Sequence, residues 1–268
     1  MVRFAEEHAV LSNVAVVLCP VTGSPYGFDI ALIPGRPARS QLEWPILYQD
    51  RNGMIGWVMS KKIFLALVWA AGWVHVFAGA PAGGASVTET ITGIMQSDKA
   101  AYDPLVFVVF NLLGIWPLIM VAVLASDTQG RLKAWPFAFS SMVLGNSALY
   151  IYLFLRKEQK PFVGPKTALV RFSESRLLAL GLLASTLALV FYGLTQGNFS
   201  AFIETWQTNF FVNVMTIDFV LFPVAFAAVL ADDMRRRNMP INALFWLYAL
   251  VPGLGAAIYL TVRPSLPE

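Results

Sequence analysis

The sequence has few charged residues for its length. Of its 268 residues, 57% are hydrophobic and 13% are charged, whereas an ordinary soluble domain carries roughly 25% charged residues. A chain of this length cannot hide so much apolar surface in one water-soluble core. Disorder is excluded for most of the chain, because disordered segments are polar. The composition therefore indicates a membrane protein, in which the apolar residues form runs of about 20.

Metal ligands and catalytic motifs are also scarce. Cys19 is the only cysteine and His8 and His75 are the only histidines, so an intramolecular disulfide and a structural zinc site are excluded. The sequence contains no GxSxG, HExxH, Walker or GxGxxG motif, so we expect no catalytic residues and find no support for an enzyme. The net charge is +3, but the basic residues lie between apolar runs rather than on one soluble face. This pattern excludes nucleic acid as a partner and indicates membrane lipids.

The apolar residues fall into six long runs. Each run has 18 to 22 residues, enough for a helix that crosses the roughly 30 Å hydrocarbon core of a bilayer. The runs do not alternate in polarity as the strands of a membrane barrel would. The sequence therefore predicts an all-α polytopic membrane protein, a bundle of six transmembrane helices at residues 63–80, 104–125, 135–155, 177–194, 210–231 and 244–262.

Residues 1–58 differ from the rest of the chain. They contain five prolines, five glycines and charges of both signs, and they fit neither a signal peptide nor a transit peptide. We interpret them as a loosely ordered N-terminal extension, and the alternative that the biological chain begins at Met59 stays open. Residues 59–268 form the predicted six-helix transmembrane domain.

The loops between six crossing helices would alternate between the two sides of the membrane. Basic residues are more frequent in the third and fifth loops than on the other side, so the positive-inside rule places those loops in the cytoplasm or stroma and the C-terminus opposite. Lys61 and Lys62 oppose this assignment. No internal repeat is obvious, but Pro117 and Pro223 occupy corresponding places in the second and fifth helices, which is a weak indication of an inverted repeat.

One carboxylate lies inside the predicted helices. Asp218 is the sole Asp, Glu, Lys or Arg in the six runs, and an Asp at this depth costs about 2.5 to 3.5 kcal/mol to insert unless it has a partner, a proton or water. From helix depth alone, we predict a buried polar cluster of His75, Asn111, Asn146 and Asp218 between the first, second, third and fifth helices. Its functional interpretation is a proton or cation site, and its structural interpretation is a set of hydrogen bonds between helices.

His75 has a second interpretation. A neutral imidazole can ligate a metal, and Ala71 and Gly79 leave room beside it for a flat ring. Chlorophyll is therefore one candidate cofactor and carotenoid another, while a hydrogen bond between helices is the simpler alternative.

A cluster of charges closes the fifth predicted helix. Asp232 and Asp233 precede Arg235, Arg236 and Arg237, so ion pairs at i,i+3 and i,i+4 are available. We predict that these five residues contact lipid head groups or a partner. The alternative is a topological anchor that uses the preference of cations for a helix C-terminus.

From Met59 onward the chain resembles a family of uncharacterised multi-pass membrane proteins of cyanobacteria and plastids. The resemblance covers about four-fifths of the chain and rests on short motifs: Met59-Ser-Lys-Lys-Ile-Phe64, Phe110-Asn-Leu-Leu-Gly-Ile-Trp-Pro117, Ala134-Trp-Pro-Phe137, Tyr192-Gly-Leu-Thr-Gln-Gly197, Trp206-Gln-Thr208 and the run from Asp218 to Asp233-Met-Arg235. It implies a thylakoid or another plastid or cyanobacterial membrane, and it carries over no catalytic residue.

Three functions are compatible with these features. The first is an accessory or assembly component of a photosynthetic membrane, with photosynthetic complexes as partners and pigment or lipid bound near His75. The second is a small-solute or ion transporter that uses Asp218. The third and weakest is a membrane-bound enzyme acting on a lipid or isoprenoid.

Overall fold

The computed structural model of the chain describes residues 14–20, 28–34, 51–98, 100–127, 132–156, 162 and 165–267. The chain divides into two compact units, Met1–Met54 and Ile55–Glu268. In the first unit, β1 (Val14–Pro20) and β2 (Phe28–Pro34) form a two-stranded antiparallel sheet with Val14 opposite Pro34. The all-α prediction therefore holds for the described residues of the second unit, and a strand pair is added in the first. The rest of the predicted extension, residues 1–13, 21–27 and 35–50, lies outside the described residues.

Helices account for the rest of the regular structure that is described. They are α1 (Arg51–Ala78), α2 (Val87–Met95), α3 (Pro104–Leu124), α4 (Ala134–Leu144), α5 (Asn146–Leu155), α6 (Ala168–Ser173), α7 (Arg176–Gln196), α8 (Phe199–Thr208), α9 (Phe210–Arg236), α10 (Ala243–Leu250) and α11 (Leu254–Val262).

Four of these helices are long and apolar enough to cross a membrane. They are α1 over Lys61–Ala78, α3, α7 and α9, and they correspond to the first, second, fourth and fifth predicted runs. Helices α3 and α9 form the centre of the second unit, where Trp116 stacks on Phe222 with ring centroids 5.5 Å apart. Both rings are fully buried.

The third predicted helix, residues 135–155, is two short helices in the structure. Gly145 separates α4 from α5 with φ +60° and ψ −157°, a conformation that is essentially restricted to glycine. The chain then folds back, because the rings of Phe137 and Tyr152, near the two open ends, lie 5.5 Å apart. Helix α4 is about 16 Å long by its eleven residues, half of a bilayer core. We call α4 and α5 the first hairpin.

The sixth predicted helix, residues 244–262, is interrupted in the same way. Helix α10 ends before Pro252 and Gly253, and Gly253 has φ +71°. The rings of Tyr248 in α10 and Tyr259 in α11 lie 5.5 Å apart, so these two helices also pack against each other. We call α10 and α11 the second hairpin. The predicted bundle of six transmembrane helices is thus not confirmed, because a proline or glycine turn splits two of the six runs.

The order of elements occurs twice along the chain. A long helix, a short helix, a second long helix and a hairpin appear as α1, α2, α3 and the first hairpin, and again as α7, α8, α9 and the second hairpin. The corresponding places of Pro117 and Pro223 are thus part of a repeat that was not obvious from the sequence. The repeat escapes a search for inverted halves because both copies run in the same direction.

Short sequence matches coincide with this structural repeat. Five residues after Pro117 and after Pro223, the sequence Ala-Val-Leu-Ala begins, and one variable residue and an Asp follow it, at Asp127 and Asp233. The last helix of each hairpin and the residue after it contain Ile-Tyr-Leu, two variable residues and Arg, over 151–156 and 258–263. The two halves therefore match in sequence as well as in the order of helices.

The two ends of the second unit differ in charge. The end that carries both open hairpin ends, which we call the basic end, has every described lysine and arginine from Lys61 onward: Lys61, Lys62, Lys133, Arg156, Lys166, Arg171, Arg176, Arg235, Arg236, Arg237 and Arg263. The opposite end carries α2 and α8, whose acidic residues are Glu89 and Glu204.

Candidate functional site

Two of the four residues in the predicted polar cluster meet at the tip of the first hairpin. The backbone N–H of Asn146, the first residue of α5, donates to Asp218 Oδ1 at 2.8 Å, and Asn146 Nδ2 donates to the Asp218 carbonyl oxygen at 2.6 Å. The first N–H groups of a helix lack partners within it and carry partial positive charge. The Asp218 carboxylate supplies the missing acceptor within the apolar part of the protein.

Glycine at position 145 is necessary for this contact. A Cβ atom built on Gly145 would lie 2.5 Å from Asp218 Oδ2 and 2.8 Å from its Cγ, distances that bonded neighbours alone allow. Both the backbone angles at position 145 and the close approach of Asp218 thus require a residue without a Cβ atom.

The other two residues of the predicted cluster bond elsewhere. His75 Nε2 and Asn213 Oδ1 are 2.8 Å apart, and the imidazole stacks on Trp206 with centroids 6.1 Å apart. Asn111 Nδ2 donates to the carbonyl of Phe107 in its own helix at 2.8 Å. The structure therefore joins Asn146 to Asp218, and it gives His75 and Asn111 separate partners.

The contacts of His75 bear on the pigment interpretation. A metal needs an imidazole nitrogen with a free lone pair. Asn213 Nδ2 donates to the Trp206 carbonyl at 3.0 Å, so its oxygen faces His75 and Nε2 carries the hydrogen. The other nitrogen, Nδ1, lies beside Gly79, where an added Cβ would be 2.9 Å away. This arrangement does not favour ligation of chlorophyll at His75.

A cavity of about 390 Å³ adjoins the tip of the first hairpin. Its walls come from α1, α3, the first hairpin and α9, and both Asn146 and Asp218 line it. The aromatic rings among its walls are Trp69, Trp73, Phe110 and Phe211. The volume is in the range of sites for small molecules, which are mostly apolar with a few polar groups.

The cavity opens on the apolar surface of the protein. Val143 and Leu144 line it and are 88% and 64% exposed. A hydrophobic side chain with this exposure is stable where its surroundings are lipid rather than water.

The second hairpin provides an internal comparison for Asp218. Gly253 at its tip faces Leu112 of α3, and a Cβ on Gly253 would be 3.6 Å from Leu112 Cδ2. Leu112 and Asp218 both stand five residues before the proline of their helix. The same position of the repeat thus holds a leucine in one half and a carboxylate in the other. A hairpin of this type does not require the carboxylate.

The five charged residues predicted to contact head groups differ in exposure: Arg235 is exposed, Asp232 is partly buried, and Asp233, Arg236 and Arg237 are buried. Arg235 is exposed and pairs with Asp232 at 3.2 Å. Arg236 pairs with Asp127 at 2.5 Å, and Arg237 pairs with Asp233 at 2.9 Å. Both of these arginines and Asp233 are buried, so their charges are directed into the protein.

Asp127 and Asp233 have the same environment at equivalent positions of the repeat. A tyrosine hydroxyl from the adjacent hairpin donates to each carboxylate, from Tyr152 at 2.8 Å and from Tyr259 at 2.6 Å. An arginine at the end of that hairpin also pairs with each, at 3.2 Å and 3.1 Å respectively: Arg156 with Asp127 and Arg263 with Asp233. These contacts attach the C-terminal end of each hairpin to the basic end of the long helices.

Glu174, between α6 and α7, extends this network. It accepts from Arg237 at 2.6 Å and pairs with Lys166 at 3.2 Å. Burial raises the pKa of Glu174, but the hydrogen bond and charge of Arg237, the N–H of Leu266 and Lys166 outweigh burial and hold the pKa below its ordinary value. Glu174 is therefore ionised in the folded protein at neutral pH.

Sequence reasoning missed several of these residues. Gly145 was inside a predicted crossing helix, and Asp127, Arg156 and Arg263 were outside the predicted runs, where charge is expected. The available signal was two repeated matches, Ala-Val-Leu-Ala-x-Asp and Ile-Tyr-Leu-x-x-Arg. The first contains the carboxylate, and the second contains the tyrosine and arginine that bind it.

No group of three or more His, Cys, Asp or Glu side chains that could hold a metal ion is present in the described part of the chain. The chemistry available at the cavity is that of one carboxylate, one side-chain amide and aromatic rings. No family model, curated protein or solved structure matches the chain.

Proposed function

We propose that the protein crosses the membrane four times, through α1, α3, α7 and α9, and that the two hairpins enter the bilayer from the basic end and return to it. This arrangement replaces the six crossings expected from the sequence. It is supported by the length of each hairpin helix, about half of a bilayer core, and by the salt bridges between hairpin ends and long helices. Non-helical backbone at this depth is tolerated where protein or a cavity surrounds it, as at Gly145.

The same arrangement makes the charge distribution consistent. With the hairpins re-entrant, every described lysine and arginine from Lys61 onward is on one side, including Lys61 and Lys62, which oppose the orientation in a six-helix scheme. The positive-inside rule then assigns the basic end to the cytoplasm or stroma. The C-terminus lies on that same side, whereas six crossings would place it opposite.

Within this arrangement, the function that the geometry supports best is a small-solute carrier with its binding site in the cavity beside Asp218. The observation that carries this proposal is the asymmetry between the repeats. The tip of the second hairpin packs against Leu112, so a hairpin tip does not need a carboxylate. Asp218, at the tip of the first hairpin, is costly to place in a membrane and therefore has a role beyond building the hairpin. Intramembrane carboxylates that face a cavity mark substrate or proton pathways, and helix breaks near the midplane are typical of transporters.

Solute-dependent flux in proteoliposomes tests this proposal. Vesicles containing the protein and a trapped pH dye are given an inward proton gradient and then a panel of amino acids, amines, sugars and organic acids. The native protein is expected to produce a solute-dependent change in internal pH. Asp218→Asn, which keeps the shape of the side chain and removes its charge, is expected to abolish that change.

Asp103→Asn is the matched control. Asp103 caps α3, and the other half of the repeat has Asn209 in the same capping position for α9. Asparagine keeps the cap and loses only the exposed bond that Asp103 Oδ2 accepts from the Asn198 N–H, so this variant should fold and transport normally. Equal flux in the native protein and Asp218→Asn would refute the role of Asp218. The absence of flux with every solute in the panel would refute the carrier.

The other functions considered from the sequence remain predictions. A thylakoid or other plastid or cyanobacterial location, an accessory or assembly role beside photosynthetic complexes, and bound chlorophyll or carotenoid all rest on the resemblance. Activity on a lipid or isoprenoid has no residue to carry it. Comigration with photosynthetic complexes on a native gel would support the accessory role.

A further inference from the structure

The cavity beside Asp218 offers hydrogen-bond acceptors without matching donors from charged side chains. Asn146 is fully buried and uses its N–H groups on Asp218, but its Oδ1 has no hydrogen-bond partner. The Asp218 carboxylate supplies two further oxygens, of which Oδ1 accepts the Asn146 N–H. An unpartnered buried acceptor costs about 1–3 kcal/mol, so a ligand that donates hydrogen bonds here would be stabilised.

The walls supply no positive charge. No lysine, arginine or histidine lines the cavity in the part of the chain that the structure describes. An ionised Asp218 therefore accepts one backbone N–H at the N-terminus of α5, and no cationic side chain among the cavity walls pairs with it. A carboxylate inside a membrane protein needs a counter-charge or a proton, and a cationic ligand would provide the first.

The chemistry of the walls distinguishes between kinds of cation. Calcium requires six to eight oxygen ligands and magnesium an octahedral shell, and one carboxylate with one amide cannot supply them. Aromatic faces such as those of Trp69 and Trp73 attract ammonium groups by cation–π interaction. The apolar remainder of the walls suits a carbon skeleton, and the exposed tip residues Val143 and Leu144 give access from the bilayer.

We propose that this cavity binds an organic ammonium ion, a primary or secondary amine that carries an apolar group. This inference rests on the proposed function, since it names the class of solute for the same site. The ammonium N–H groups donate to the Asp218 carboxylate and to Asn146 Oδ1, and the apolar group lies against the rings of α1. The indole N–H of Trp69, another residue of the walls, also has no hydrogen-bond partner.

Equilibrium binding in phosphatidylcholine nanodiscs tests the amine class without requiring transport. The probes are 2-phenylethylamine, its neutral analogue 2-phenylethanol and its trimethylammonium derivative, which keeps the charge and lacks N–H donors. Tryptophan fluorescence reports occupancy, because Trp69 and Trp73 line the cavity. We expect saturable binding of the amine, with both other probes weaker by about tenfold or more, since a hydrogen bond to a charged group contributes about 1.5–3 kcal/mol.

Three variants assign the binding to this site. Asp218→Asn and Asn146→Ala are expected to weaken amine binding by about tenfold or more, and Asp103→Asn to leave it unchanged. Should Asp218→Asn fail to fold, as judged by its melting temperature, Asp218→Leu replaces it, because Leu112 occupies the equivalent position at the second hairpin. Binding of the alcohol as tightly as the amine, or unchanged amine binding in a folded Asp218 variant, would overturn the inference.

The lipid composition separates a free amine from a lipid head group. The protein is also placed in phosphatidylethanolamine nanodiscs. If 2-phenylethylamine binds more weakly there than in phosphatidylcholine nanodiscs, the lipid competes for the site, and the site takes the amine of a lipid. If 2-phenylethylamine binds equally well in both lipids, the site takes a free amine. Flux that depends on Asp218 without amine binding would refute the inference and leave the carrier standing, whereas amine binding without flux would refute the carrier and leave the site standing.

Discussion

At the scale of single residues, the buried aspartates of the basic end are the charges whose removal costs most. Asp233 is 1% exposed and shared by Arg237 and Arg263. Asp233→Asn leaves two buried guanidinium groups without their carboxylate, and breaking such a pair by removal of one partner costs about 3–5 kcal/mol. We expect a loss of this size in the free energy of unfolding, measured by denaturant titration in nanodiscs.

Arg235→Gln is the control for this prediction. The Arg235 side chain is 55% exposed and its partner is Asp232, and exposed ion pairs contribute about 0–1 kcal/mol. Similar losses in Asp233→Asn and Arg235→Gln would show that the buried network does not hold the hairpins.

Glu174 gives the basic end a defined response to acid. Because the pKa of Glu174 is held below its ordinary value of 4.5, its contribution to stability is complete above that value and is lost as the pH falls through the folded pKa. We expect the native protein to be more stable than Glu174→Gln at pH 7, with the difference shrinking below about pH 4.5. Melting temperatures of both proteins between pH 3 and pH 7 measure this, and parallel curves would contradict it.

At the scale of elements, we expect the two hairpin tips to differ in how well they tolerate replacement of their glycine by alanine. Gly145 and Gly253 both have positive φ, so alanine strains the backbone at each, by about 1–3 kcal/mol. A Cβ at position 253 meets its nearest atoms at 3.6 Å, whereas one at position 145 would be 2.5 Å from Asp218 Oδ2. We expect Gly145→Ala to lower the free energy of unfolding more than Gly253→Ala does.

A double-mutant cycle separates the two contributions at Gly145. In an Asp218→Ala background the clash is gone, so Gly145→Ala should cost about as much as Gly253→Ala. Equal costs of the two glycine substitutions in the native background would mean that Asp218 moves away freely and does not cap α5.

The long helices could be predicted from sequence, and the hairpins could not. Helices α3, α7 and α9 have 21 residues or more and are apolar enough to cross a membrane, and a long helix is the element that such a run predicts. The hairpin segments 135–155 and 244–262 are also long apolar runs, and neither contains a charged residue. What distinguishes them is one glycine at 145 and the Pro252-Gly253 pair, and prolines at 117 and 223 leave their helices unbroken.

The candidate site was predictable in part for a related reason. Asp218 is conspicuous because a single carboxylate in an apolar run needs an explanation, and Asn146 lay at a similar depth. Depth along straight helices could not show that His75 pairs with Asn213. That pair depends on the orientation of the Asn213 amide, which the Trp206 carbonyl fixes. Depth also could not show Gly145, since only a fold that turns back brings a backbone N–H to Asp218.

At the scale of the whole molecule, duplication separates structural residues from residues with another role. Positions that perform the same task in both halves, such as Asp127 and Asp233, belong to the architecture. Positions that differ where the geometry is the same, such as Leu112 and Asp218, are candidates for function. This criterion is why we propose the cavity at the first hairpin, rather than the second hairpin, as the functional site.

The location of the second hairpin decides between four crossings and six. Asn238, before α10, and Ser265, after α11, are both exposed, and cysteines at these positions can be labelled by a membrane-impermeant maleimide in a Cys19→Ala background. A re-entrant hairpin places Asn238→Cys and Ser265→Cys on the same side of the vesicle, and Ala85→Cys, near α2, on the other. A crossing helix over 244–262 would instead place the first two on opposite sides.

Arg263 pairs with Asp233 near the end of α9, and a crossing helix would move its C-terminal arginine across the bilayer from that carboxylate. The labelling therefore tests whether the salt bridges that attach the hairpins exist in the membrane.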